Sequence, residues 1–103
     1  MRSRPTALGW VDTNVSTAHK WDCAQIVRLA RHLGYALVWP EASLLPLVDL
    51  VRTADVDALI VPSPAHLHPI ELNAVMGVAA VEIVLPRISF ARWAFAHPAE
   101  GPQ

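Results

Sequence analysis

The side chains best placed to do chemistry lie in one short run. Asp12, Asn14, Ser16 and Thr17 follow an apolar segment, Ala7 to Val11, and precede a helix-like pattern. In an open α/β sheet, ligands and reacting groups gather where strands end at their carboxyl edge. These four are therefore candidate binding residues. Asp12 is read either as tying down the loop backbone or as holding a ligand. Ser16 and Thr17 are read as caps of the following helix, with Asp22 as the local alternative. The same loop is placed to hold a small anion at a helix N-terminus. A second set, Ser63, His66 and His68, falls in the stiff loop Pro62 to Pro69. Two histidines two apart can share one side of an extended segment. A metal needs further ligands, and only distant His19 or Asp12 offers one. No metal site is expected, and the pair is read as a solvated loop pair.

Elements must position these groups. Ala7 to Val11 reads as a first strand. From Trp21, the residues Cys23, Ile26, Val27, Ala30 and Leu33 recur at the spacing of one helix face, and Gly34 is the stop. Ala36 to Trp39 reads as a second strand ended by Pro40. A second helix follows, capped by Ser43 with Pro46 in its first turn, and ends near Ala54. Ala58 to Val61 is apolar throughout, as a parallel strand covered on both faces should be. A short third helix spans Ile70 to Met76. Ala80 to Leu85 is the last expected strand. The segment Ile88 to Phe95 is read as a short helix packed through Phe90, Trp93 and Phe95. This β-α-β-α-β-α-β order predicts a three-layer α/β fold. Its mostly parallel four-stranded sheet has order 2-1-3-4, with helices on both faces. Residues 1–96 are expected to form the single domain, with 97–103 as a flexible tail.

Composition narrows the function. The chain has 103 residues, 53% of them apolar and 17% charged, with a formal net charge of -1. That balance describes a folded domain without the basic footprint of a nucleic-acid binder. Lys20 is the lone lysine, and Arg28 and Arg31 are the nearest thing to a basic patch. The single Cys23 excludes an intrachain disulfide and is read as an inert, buried thiol. No Gly-rich phosphate loop is present, so no cofactor is expected. The polar start and the absence of a long apolar run predict a cytoplasmic protein without a membrane span. Four tryptophans are many for this length. Trp10 and Trp39 fall on strands and are expected in the core. Trp21 and Trp93 lie near element ends, where an aromatic serves the core or a partner surface. Trp21, Phe90 and Trp93 are the candidate interface residues, with Ile70 and Val75 beside them.

Gly9-Trp10 and Val15-Ser16-Thr17 resemble the ends of the first-strand motif Gly-Tyr-x-Arg-Val-Ser-Thr of resolvase-type serine recombinase domains, with two extra residues between them. The segment Gln25 to Gly34 is similar to the helix that follows in that family. Leu47 to Arg52, Asp57 to Val61 and Ala65 to Pro69 occupy the places of its next helix, strand and Asp-Arg-Leu-x-Arg turn. The resemblance covers roughly Ala7 to Leu85 and implies a resolvase-like fold with Ser16 at the position of the nucleophile. The departures bear on chemistry. Asn14 stands where the family has an Arg, Ala65-His66-Leu67-His68-Pro69 replaces the Arg-bearing turn, and Glu41-Ala42-Ser43 carries no Arg. Cleavage at a phosphate needs guanidinium groups for the charge that develops. The family's dimerisation helix and DNA-binding domain are expected to be missing. The resemblance thus implies a short, stand-alone and catalytically inactive domain acting through protein contacts, as a homodimer, a homo-oligomer or a regulator. Nucleic acid and membrane are not expected partners.

Val11-Asp12-Thr13-Asn14-Val15 also resembles the first motif of PIN-type ribonucleases. Asp57-Ala58-Leu59-Ile60 resembles their later Asp motif, with Glu41 as the intervening carboxylate. That resemblance implies metal-dependent RNA cleavage through Asp12, which requires three or four converging carboxylates. A divergent nuclease or recombinase, using Asp12 or Ser16, is one alternative to the interaction module. A small-ligand binder using the loops after the first and third strands is the other.

Overall fold

The structure, a computed structural model, describes residues 4–41 and 44–93. Its elements run β1 (Thr6–Gly9), α1 (His19–Leu33), β2 (Ala36–Val38), α2 (Leu47–Ala54), β3 (Ala58–Val61), α3 (Pro69–Met76), β4 (Ala80–Ile83) and β5 (Ile88–Phe90). A single 3-10 turn, Pro64–His66, lies between β3 and α3. The sheet has order β2-β1-β3-β4-β5. β1 pairs in parallel with β2 and β3, β3 pairs in parallel with β4, and β5 runs antiparallel to β4.

Side chains alternate across each strand, so each face has its own core. Leu8, Leu59, Val61, Val81 and Ile83 point to the face covered by α2 and α3, where Leu47, Val51 and Val75 meet them. Ala7, Ala58 and Ile60 point to the other face, against Ile26, Leu29 and Ala30 of α1. The two alanines keep that face shallow under the helix. α1 ends as its sequence predicts. Gly34 takes φ 85°, its N–H reaches Arg31 O, and the Tyr35 N–H reaches Ala30 O. This closes the last turn in a Schellman motif.

The α/β class and the mostly parallel sheet follow the expectation, but the sheet has five strands. The fifth comes from the segment read as a short C-terminal helix. Ile88 to Phe90 instead pairs with the open edge of β4, joining Val81 to Phe90, Glu82 to Ser89 and Ile83 to Ile88. The cause is local. Glu82 is nearly buried on the α1 face and accepts from Ser89 Oγ and, at 2.7 Å, from Arg87 Nη2. Arg87 also caps the Ile83 and Ile88 carbonyls. A buried carboxylate needs such partners, and β5 brings them. β1 and β4 end two residues earlier than expected, β2 ends one earlier, and α1 starts two earlier, at His19. Pro46 itself is the N-cap of α2. Ser43, Phe95 and the tail 97–103 lie outside the described residues.

Candidate functional site

The loop from β1 to α1 wraps around Asp12. The Asp12 carbonyl accepts from the N–H groups of Val15 and Ser16, and its Oδ1 accepts from the Asn14 N–H at 2.9 Å. Asp12 thus fixes loop backbone, one of its two expected roles. Its own N–H donates to Nδ1 of His66 at 2.9 Å. His66 is 5% exposed, so the reading of a solvated pair is corrected. The 3-10 turn carries His66 inward under the first loop. His68 stays exposed as the N-cap of α3, accepting from the Ile70 N–H while Glu71 accepts from the His68 N–H. The two histidines share neither a side nor a ligand.

Ser16 does not cap α1. The N-cap residue is Ala18, without a side-chain bond, and Ser16 Oγ donates to Asp22 Oδ2 at 2.7 Å. Asp22 Oδ2 lies 3.9 Å from His66 Nε2. A backbone N–H donating to Nδ1 leaves that nitrogen without a proton, so neutral His66 carries its proton on Nε2, facing Asp22. The order is therefore Ser16, Asp22, His66, with the carboxylate in the middle. A Ser-His-Asp relay needs an imidazole nitrogen with a free lone pair at the hydroxyl. Here the imidazole has no such nitrogen to offer. Asp22 orients Ser16, and the other hydrogen-bond partners in the cluster are backbone groups.

No described arginine bonds to Ser16, Asp12 or Asp22; Arg52 pairs with Asp49 and Arg87 with Glu82. The carboxylates do not converge either. Asp12 lies beyond the carboxyl end of β1, whereas Asp57 precedes β3 and accepts from the Thr6 N–H at the opposite edge. Parallel neighbours four residues long hold them roughly 13 Å or more apart. Among the described residues no group of three or more His, Cys, Asp or Glu side chains is placed to hold a metal. Thr17 is exposed in the loop, Glu41 is exposed after β2, and Ser63 lines a cleft with Trp21 and Asp22.

Cys23 lies one turn after His19, with Sγ 3.6 Å from Nε2. Burial and then the charge of Asp22 push its thiol above the ordinary range, which keeps it protonated and a poor nucleophile. Beside it, Gly9 lets the Trp39 ring lie on the end of β1. A Cβ at Gly9 would meet that ring at 2.5 Å. Trp39 remains 43% exposed, a rim residue where the sequence predicts core. Among the candidate interface residues, Trp21 and Trp93 are exposed, while Phe90 packs against the α2–α3 core. Val75, expected beside them, is fully buried.

The exposed apolar residues share a place. Val15, Trp21, Val38, Trp39, Leu44, Leu45, Ile70 and Leu85 are all exposed, and all lie at the ends of strands or starts of helices on the carboxyl edge. Only Leu33 and Trp93, of the large exposed apolar side chains described, lie elsewhere. The sequence marks this pattern faintly. Each of the eight stands at or just beyond the end of an element, where periodicity gives little signal. No family model matches the chain, and no curated protein or solved structure matches it significantly. No described helix is long and apolar enough to cross a membrane.

Proposed function

We propose that this chain is a non-enzymatic binding module that presents the carboxyl edge of its sheet to a protein partner. The apolar rim of that edge carries the reading. Folded monomers seldom gather large exposed apolar side chains at one end unless that end meets a partner. Trp39, Leu44 and Leu45 form the β2 side of the rim, and Trp21 and Leu85 the β4 side. The inward bonding of Asp12, Ser16 and His66 supports the same reading, because these groups hold the rim's loops in place. On this reading the domain keeps the frame of a resolvase-like site, with Ser16 after the first strand, and uses it as scaffold.

Affinity capture from the native host with mass spectrometry tests it. The full chain recovers a reproducible partner. Leu44→Asp loses that partner, and Leu33→Asp, at the opposite edge, keeps it. Equal recovery by both variants, or no partner at all, overturns the reading.

A further inference from the structure

Between α1 and the turn after β4 runs a cleft of about 260 Å³, walled by Trp21, Leu85 and Val84 and floored by Ser63. Asp22 is the only charged residue in its lining. Oδ2 of Asp22 takes the Ser16 hydroxyl, and Oδ1 has no hydrogen-bond partner among the described residues. Arg87, two residues after Leu85, is bound to Glu82 and two carbonyls. An indole face beside a half-buried carboxylate is a receptor for a guanidinium.

The cleft opens into a broader hollow of about 500 Å³, with Gln25 and Val84 common to both walls. There the charge reverses, because the hollow is lined by Arg28, Arg31 and His32. Neither arginine has a carboxylate partner among the described residues. One face of α1 thus runs from an acidic, aromatic end to a basic end, with Gln25 half-buried at the middle. Asp22 and Arg28 are separated by about 9 Å of helix. A two-fold axis near Gln25 would lay Arg28 of one copy on Asp22 of the other, twice.

We propose that the occupant of this face is a second copy of the chain. The two α1 helices pack antiparallel, and each copy's Arg28 enters the Trp21–Asp22–Leu85 cleft of its mate. Trp21 and Leu85 then fill the mate's broader hollow. The pairing goes beyond the partner reading above. It occupies the β4 side of the carboxyl edge and leaves the side with Trp39 and Leu44 to a different protein. It also sets a guanidinium from another chain beside the carboxylate that holds Ser16.

Sedimentation equilibrium of the full chain over a concentration series tests it. The wild type is a dimer that weakens with salt. Arg28→Glu and Asp22→Lys each weaken self-association by on the order of 30-fold or more, the loss of a buried charge pair. Mixing the two variants restores a dimer, because both charge pairs are then opposite in sign. Trp21→Ala also weakens association, which keeps the test decisive if Asp22→Lys does not fold by circular dichroism. A wild type that stays monomeric at every concentration overturns the proposal. So does a dimer indifferent to both Arg28→Glu and Trp21→Ala, or a mixture of two folded variants no tighter than either alone. Arg28 lies off the apolar rim, so a wild type that stays monomeric yet still captures its partner separates failure of this pairing from failure of the partner reading.

Discussion

Three side chains, Ser16, Asp22 and His66, decide whether the carboxyl edge reacts or holds. The hydroxyl is bound to a carboxylate at 2.7 Å, and the imidazole spends its acceptor nitrogen on the Asp12 N–H. Ser16→Ala should cost about 0.5–1.5 kcal/mol in urea unfolding, the worth of one side-chain bond. His66→Leu should cost more, about 1–3 kcal/mol, because the Asp12 N–H then loses its partner. Equal losses would show that the histidine is not the loop's anchor. Cys23 offers a chemical check. Asp22→Asn removes a charge that raises the thiol, so alkylation of Cys23 should speed up at fixed alkaline pH. Tyr35 is raised in the same direction by burial and then by the charges of Glu82 and Asp57. Both groups are held neutral in the fold. Their contribution is full while the unfolded groups are protonated and is lost as pH rises into the alkaline range. Stability should therefore decline there, and a rise would contradict the sign. The sequence names Ser16, Asp12 and His66 as candidates but not the bonds among them. Ser16 and Asp22 are six residues apart, a span that only the actual path of the loop can close. His66 looks solvated in sequence because its Pro-rich neighbours hide the inward 3-10 turn.

At the scale of elements, periodicity carries most of the fold and fails where pairing decides. Of the expected α1 face, Ile26 and Ala30 are buried and Leu33 is exposed, while Leu29, off that face, is buried; the uninterrupted Ala58–Val61 folds as its pattern requires. Gly34 ends α1 at a positive φ, so Gly34→Ala should cost about 1–2 kcal/mol from its own backbone, with no clash against neighbours, since the site is open. β5 is different. Three residues carry too little pattern to separate strand from helix, and the deciding group, Glu82, lies on another strand. Glu82→Ala should cost about 1–2 kcal/mol, discounted for the exposed side of Arg87, and should speed amide exchange in Ile88–Phe90. Unchanged exchange would mean that the backbone ladder alone holds β5. Gly9 links the sheet to the rim, because its missing side chain seats Trp39. Gly9→Ala should move that ring, with a shift in tryptophan fluorescence and a loss of about 1–3 kcal/mol from overpacking.

The molecule as a whole is asymmetric. The ends of strands and starts of helices carry an apolar rim, while Asp12, Ser16 and His66 are turned inward to brace it. Composition alone hides this, because an apolar fraction does not say which end of a sheet the apolar groups occupy. The central claim is that the domain acts through this rim and not through Ser16. Its most direct test is quantitative capture of the native partner by the wild type, Ser16→Ala and Leu44→Asp side by side. Capture by Ser16→Ala should equal the wild type, and Leu44→Asp should capture nothing. Loss of the partner with Ser16→Ala, and its retention with Leu44→Asp, would contradict the account.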